Sequence, residues 1–160
     1  MRRTDREITD RAEMLAIMEK CQVCRLALHN GDYPYILPVN FGMEEKDGQL
    51  VLYFHGAAEG TKYDLMAADP RASFEMDCET VLCSSRKQGN CTMSYSSVIG
   101  RGTVSFLEGA EKVHALDVLT AHYHPEGFAY NPAVIPQTRV WQLTVESMTA
   151  KHRRMLPPDD

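Results

Sequence analysis

Three extended segments in close succession constrain this chain more than any other feature. Val23–His29 places Cys24, Leu26 and Leu28 on one face, the period-two alternation of a half-buried strand. Asn30-Gly31-Asp32 reads as a turn into Tyr33–Glu44, where Tyr33, Tyr35, Leu37, Val39 and Phe41 share a face. Lys46-Asp47-Gly48 closes a second hairpin into Leu50–His55. Strands joined this tightly form an antiparallel meander, because a parallel pair needs a crossover of a dozen residues or more. Pro34 and Pro38 lie on the other face of the middle strand. Proline cannot donate to a ladder, so this strand is expected at an edge, or with a bulge at Pro38. Val39, Asn40 and Phe41 would then have backbone groups free to meet a ligand.

The third strand runs into the stretch Leu52–Leu65, which reads as strand end, small-residue loop and helix start. Leu52 and Phe54 alternate with Tyr53 and His55, and Gly56, Ala57, Ala58 and Gly60 follow. Such small residues let a ligand approach the backbone closely. Thr61 and Lys62 stand where the helix begins. A helix start favours an anion, so a lysine there opposes the local dipole unless a phosphate shares the place. The segment is therefore a candidate phosphate site.

The rest of the chain fills in around the meander. Asp10 caps a helix over residues 10–20, with Met14, Ile17, Met18 and Cys21 on one face. A short helix, Thr61–Ala68, stops at Asp69-Pro70. Arg71–Asp77 reads as a strand, and the polar run Ser84–Asn90 as a loop or hairpin tip. Thr92–Leu107 is long and strand-like, with Gly100 and Gly102 marking a bend or bulge. Glu111–His122 reads as a helix with Val113, Leu116 and Leu119 inward, Pro125–Pro136 as a loop, and Thr138–Ser147 as the last strand. That strand sets Val140, Gln142 and Thr144 against Arg139, Trp141, Leu143 and Val145. Six strands without strict βαβ alternation point to a mainly β (α+β) fold, a small antiparallel barrel with flanking helices. The 160 residues are read as a single domain, 1–160.

A net charge of −5 argues against a general nucleic-acid binder, which needs a basic face. No apolar run approaches a membrane span, so no membrane partner is expected. No apolar segment follows the N-terminal Met-Arg-Arg-Thr-Asp-Arg-Glu, so a cytoplasmic location is expected. The basic cluster Lys151-His152-Arg153-Arg154 is either a solvated tail or a segment folded over an anionic ligand. Cys21 and Cys24 match Cys-x-x-Cys, but Cys78, Cys83 and Cys91 do not supply a zinc-like second pair. Buried small hydrophobes are the simpler reading, and no metal is expected there or at His122-Tyr123-His124. His55, at a strand end beside a glycine loop, is either structural or the acid of a site.

Several motifs occur together, in order: Pro34-Tyr35-Ile36-Leu37-Pro38-Val39-Asn40-Phe41-Gly42, Leu52-Tyr53-Phe54-His55-Gly56, Glu59-Gly60-Thr61-Lys62, and Tyr95-Ser96-Ser97-Val98-Ile99-Gly100-Arg101-Gly102. In these, and over nearly its whole length, the chain resembles the nitroimidazole-resistance family of pyridoxamine 5′-phosphate oxidase-like proteins. The resemblance implies an FMN-binding split β-barrel that forms a homodimer with two shared cofactor sites. It implies that Pro38, Val39, Asn40 and Phe41 line the flavin, that Tyr53, Phe54, His55 and Gly56 run along its ring and ribityl chain, and that Thr61 and Lys62 hold its phosphate. It implies that Tyr95, Ser96, Ser97, Val98 and Trp141 approach the same flavin, partly from the partner subunit. His55 matches a histidine placed near the reactive centre. Relatives often carry arginine or serine at position 61; Thr61 keeps a hydroxyl but adds no charge, leaving more of the phosphate to Lys62. The implied activity is FMN-dependent reduction of small molecules such as nitroimidazoles, with NADH or NADPH as electron donor. The alternative is a non-catalytic flavin- or heme-binding sensor, with His55, His122 and His124 as candidate axial ligands.

Overall fold

The chain runs β1 (Glu7–Ile8), α1 (Arg11–Lys20), β2 (Cys24–Leu28), β3 (Tyr35–Val39), β4 (Phe41–Lys46), β5 (Gln49–Ala57), α2 (Thr61–Ala68), β6 (Arg71–Ser85), β7 (Asn90–Leu107), α3 (Gly109–Tyr123) and β8 (Thr138–Arg153). This is a computed structural model, and it describes residues 3–85, 87 and 89–153. The strands form one antiparallel sheet in the order β3-β2-β6-β7-β8-β5-β4, with β1 pairing β8. The mainly antiparallel sheet with flanking helices agrees with the sequence. The strand count does not: eight strands are present among the described residues, not six.

One of the two extra strands comes from a break at Asn40. Tyr33–Glu44 alternates without interruption in sequence, yet β3 ends at Val39 against Cys24 of β2, and β4 begins at Phe41 against Phe54 of β5. β3 and β4 lie at opposite ends of the seven-strand path. Consecutive Cα atoms are 3.8 Å apart, so Val39 and Phe41 stand at most about 7.6 Å from each other. The two ends of the sheet are thus joined through a single residue: the barrel is closed by covalent chain at Asn40 rather than by a ladder. As an edge strand, β3 also tolerates Pro38, as expected. The other extra strand is β1, whose Glu7 and Ile8 pair with Lys151 and Ala150.

The last strand is longer than its sequence suggests. β8 continues through Lys151-His152-Arg153, which pair with Ser97, Ser96 and Tyr95 of β7. This part of the basic cluster is therefore sheet and not tail; Arg154 lies outside the described residues. β6 and β7 likewise extend into a long hairpin around the polar run, of which residues 86 and 88 lie outside the described set. The register shift at Arg101/Gly102 is the bend expected from the glycines. A Cβ on Gly102 would overlap the Thr144 carbonyl of β8, and one on Gly100 would overlap the Phe74 ring.

Two apolar clusters hold the fold. The barrel interior contains Leu26, Leu37, Phe41, Leu52, Phe54, Phe74, Met76, Val98, Trp141 and Leu143, with Ile17 and Met18 of α1 packed on it. The second cluster lies between α3 and the outer face of the sheet and includes Val51, Tyr53, Ala115, Leu116 and Val140. β5 is consequently buried on both faces from Leu50 to Phe54, not half-buried as its alternation suggested. α3 settles so close that a Cβ on Gly42 would come 2.6 Å from the Leu119 backbone nitrogen. Its inward face is Ala115, Leu116 and Leu119; Val113, expected inward, is exposed. Cys21 and Cys24 are free and fully buried, and burial pushes both thiols up, away from the thiolate. No helix among the described residues is long and apolar enough to cross a membrane.

Candidate functional site

β5 outruns its neighbour on one side. The β4 ladder starts at Phe41↔Phe54, so His55, Gly56 and Ala57 pair only with Val140, Arg139 and Thr138 of β8. Their other edge has no ladder partner among the described residues, and unpaired backbone groups there can meet a ligand. Alternation sends successive side chains to opposite sides. Gly56 shares the inward parity of Phe54, toward the barrel mouth, while His55 faces outward, toward α3.

At the mouth, the first turn of α2 leans on Gly56. A Cβ there would come 2.8 Å from Tyr63 Oη and 3.2 Å from Lys62 Cε. Gly60, at φ +147°, starts α2 without a side-chain cap, which leaves first-turn N–H groups uncovered. Tyr63 Oη donates to the Ala57 carbonyl (2.6 Å). Lys62 Nζ stands 4.4 Å from the Tyr63 ring centroid. Arg139 Cζ stands 4.5 Å from the same ring and 4.5 Å from that of Phe106. Burial pushes the Tyr63 phenol up, while Arg139 pulls it the other way. Trp141 lies edge-on to Tyr63 (5.6 Å) and stacked on Phe54 (5.7 Å); its buried Nε1 has no hydrogen-bond partner among the described residues. Thr61 is exposed at the helix start.

On the outer side, His55 and Asn40 line a cavity of about 450 Å³ together with Thr120, Tyr123 and His124 and the apolar Leu116, Leu119, Phe128, Tyr130, Val134 and Ile135. That volume lies within the usual range for a small-molecule site. Tyr123 fixes the seam: its hydroxyl accepts from the Phe41 N–H (3.1 Å) and donates to the Gln22 carbonyl (2.9 Å). His122 is engaged by the Cys21 carbonyl (2.9 Å) and packs on Phe41. His124 pairs with Glu126 (3.1 Å) and stacks on Phe128. His55 has no hydrogen-bond partner among the described residues. It is exposed along one side, but the protein mass around its imidazole desolvates the charged form and lowers its pKa below the ordinary 6.5. Among the described residues, no three His, Cys, Asp or Glu side chains gather as a metal set would.

The residues singled out in the sequence therefore fall into separate groups. Asn40, His55, Gly56, Thr61 and Lys62 gather around the free end of β5. Pro38 is exposed on β3 and Val39 half-buried beside it. Phe41, Phe54 and Trp141 are fully buried and shape the barrel wall from inside. Tyr53 turns under α3, where its hydroxyl and His114 share Glu44 Oε1. Tyr95, Ser96, Ser97 and Val98 lie elsewhere on the barrel. Ser97 is nine residues from Phe106, roughly 30 Å of strand contour at 3.3 Å per residue. Ser96 is buried, with Oγ shared between Glu79 (2.9 Å) and His152 (2.7 Å). One chain does not bring these four to Lys62. Tyr63 and Arg139 were missed, though Arg139 left a signal: it is a cation on the strand face that carries Trp141, Leu143 and Val145.

The sequence matches the family model for pyridoxamine 5′-phosphate oxidase over residues 10–152. No curated protein matches it. Among solved structures, a Bacteroides thetaiotaomicron protein proposed to confer 5-nitroimidazole antibiotic resistance is 28% identical, covering 91% of this chain and 85% of that one, with a TM-score of 0.76. The FAD and heme binding protein of Mycobacterium smegmatis is 20% identical, with 97% and 77% coverage and a TM-score of 0.79. The flavocytochrome Anf3 of Azotobacter vinelandii is 18% identical, with 100% and 75% coverage and a TM-score of 0.76.

Proposed function

The chain belongs to the pyridoxamine 5′-phosphate oxidase family, and from that premise we propose that it is an FMN-binding flavoprotein that reduces small molecules, nitroimidazoles among them. The observation that carries this reading is the free end of β5. Residues 55–57 run for about 10 Å between an apolar cavity holding His55 and Asn40 and a cationic mouth holding Lys62. A flavin nucleotide has that sequence of parts: an aromatic ring, a polyol chain and a phosphate. The residues present fit it. Gly56 and Gly60 let the first turn of α2 close on β5 and bring Lys62 to its free end, and Lys62 has no carboxylate partner among the described residues. The names of the structural neighbours, a nitroimidazole-resistance candidate and two flavin or heme proteins, point the same way.

In this reading Lys62 and Thr61 hold the phosphate, the unpaired edge of His55–Ala57 meets the polyol, and Asn40 orients the ring. Bound there, the flavin would supply the electron chemistry between NADH or NADPH and a small oxidant, while the protein binds and orients it. Leu116, Leu119 and Phe128 give the reacting end an apolar wall. His55 is the proton donor to the substrate: its ring nitrogens have no partner among the described residues, so they can serve a substrate atom within hydrogen-bond reach. Tyr95 and Ser97 are supplied by a second copy, since their own chain keeps them far from Lys62.

The test is a titration of FMN into flavin-free protein, followed in the visible spectrum. Wild-type protein turns yellow and is bleached by NADH or NADPH. Lys62→Ala weakens FMN binding by about 1.5–3 kcal/mol, roughly 10- to 150-fold, the scale of a charge-assisted hydrogen bond. A colourless wild-type protein that takes up no FMN sinks the proposal. FMN bound without reduction of any nitro compound makes the protein a flavin holder or sensor instead. For assembly, dilution to the monomer should release the flavin in a gel-filtration assay; a monomer that keeps it rules out a shared site.

A further inference from the structure

Lys62 is not the only cation at the mouth. Arg139 stands directly across the ladder from Gly56, the glycine against which α2 leans. Its guanidinium and the Lys62 ammonium lie 4.5 and 4.4 Å from the same Tyr63 ring. Neither has an ion-pair partner among the described residues. Two like charges drawn to one ring repel each other, and no carboxylate among the described residues lies within ion-pair distance of either. The surroundings add donors: the uncapped N–H groups at the start of α2, the Thr61 hydroxyl and, buried below, the Nε1 of Trp141, unpartnered among the described residues; Asp64, the carboxylate of the first turn, forms no ion pair with either cation. Such a cluster is complete only with an anion.

We propose that Arg139 is a second cation of the phosphate site, closing with Lys62 across Tyr63 on the phosphorylated end of the flavin. This rests on the flavin reading above and adds to it a residue from β8. A phosphate monoester carries about two negative charges near neutrality, which two cations match. A guanidinium offers paired, planar donors where a lysine offers a point charge, so Arg139 fixes the orientation of the phosphate while Lys62 supplies attraction. The site then depends on two elements far apart in sequence, α2 and β8.

The competing role for Arg139 is packing alone, since its stem and guanidinium cover Tyr63 and Phe106. The test separates the two. FMN, FAD and riboflavin are titrated into flavin-free wild type, Arg139→Met and Arg139→Lys, with bound flavin read by its fluorescence quenching. Methionine keeps the stem and removes the charge. The expected result is a 10- to 100-fold loss of FMN affinity in Arg139→Met, unchanged riboflavin affinity, and recovery of most of the FMN affinity in Arg139→Lys. FAD weakened in the same pattern also supports the clamp and places it on a diphosphate. Equal FMN affinity in wild type and Arg139→Met overturns the proposal; so does equal weakening of FMN and riboflavin, which would make Arg139 a prop for Tyr63. Should wild type bind none of the three, the flavin reading fails and the clamp is tested by itself. Inorganic phosphate is then titrated while following Trp141, the one tryptophan of the sequence, which lies against Tyr63. A saturable change lost in Arg139→Met sustains the clamp, and no saturable change in wild type overturns it.

Discussion

Gly42→Val should dislodge α3 and destabilise the protein by about 3 kcal/mol or more. The hydrogen of Gly42 faces the helix backbone itself: a Cβ would sit 2.6 Å from Leu119 N and 2.8 Å from Val118 C. A flexible side chain could swing aside, but these are main-chain atoms held in the ladder of a 15-residue helix. Relief requires moving the whole helix away from β4, which opens the cluster of Val51, Tyr53, Leu116 and Val140. For a chain of this size the loss corresponds to a Tm lower by roughly 6–12 °C, read by circular dichroism. The same displacement should loosen the cavity beside His55, because Leu116, Leu119 and Thr120 form its wall. An unchanged Tm would mean that α3 does not rest on Gly42.

His55→Gln should cut turnover of a nitro substrate by roughly 100- to 10,000-fold, the range of a lost general acid, while FMN affinity changes only a few-fold. Glutamine keeps a hydrogen-bonding side chain of similar reach but cannot deliver a proton. The pH profile gives a second reading. Desolvation lowers the His55 pKa below 6.5, so the imidazolium is present only below that lowered value. Wild-type activity carried by the charged acid therefore falls as pH rises through a point more acidic than an ordinary histidine, and the variant loses this limb. Turnover retained in His55→Gln, with the limb intact, assigns the proton to another group.

The helices were legible because their ends are written in local chemistry. Asp10 accepts from the Ala12 N–H, and Asp69-Pro70 cannot continue α2. The bend at Gly100–Gly102 was legible because only glycine permits so close a backbone approach. The break at Asn40 was not, since parity runs unbroken from Leu37 through Val39 to Phe41 while the chain crosses from one end of the sheet to the other. Nor was the reach of β8: Lys151-His152-Arg153 reads as a solvated charge run, and only pairing with Tyr95–Ser97 and Glu7 makes it a strand. The site was half visible. Asn40, His55, Gly56, Thr61 and Lys62 are near one another in sequence and meet at the end of β5. Arg139 reaches them through the β5–β8 register, a relation between strands that no local pattern encodes.

That register also sets an order of events. β5 precedes β8 by about 80 residues in the chain, yet β8 lies between β7 and β5 in the sheet, and residues 55–57 gain their one ladder only once β8 has docked. During synthesis the early meander must wait, with one flank of β5 uncovered, until β8 leaves the ribosome. Pairings so distant in sequence make a chain slow to fold and prone to aggregate in the interval. A chain lacking β8 holds Lys62 and His55 but not Arg139, and the free end of β5 then has no ladder on either side.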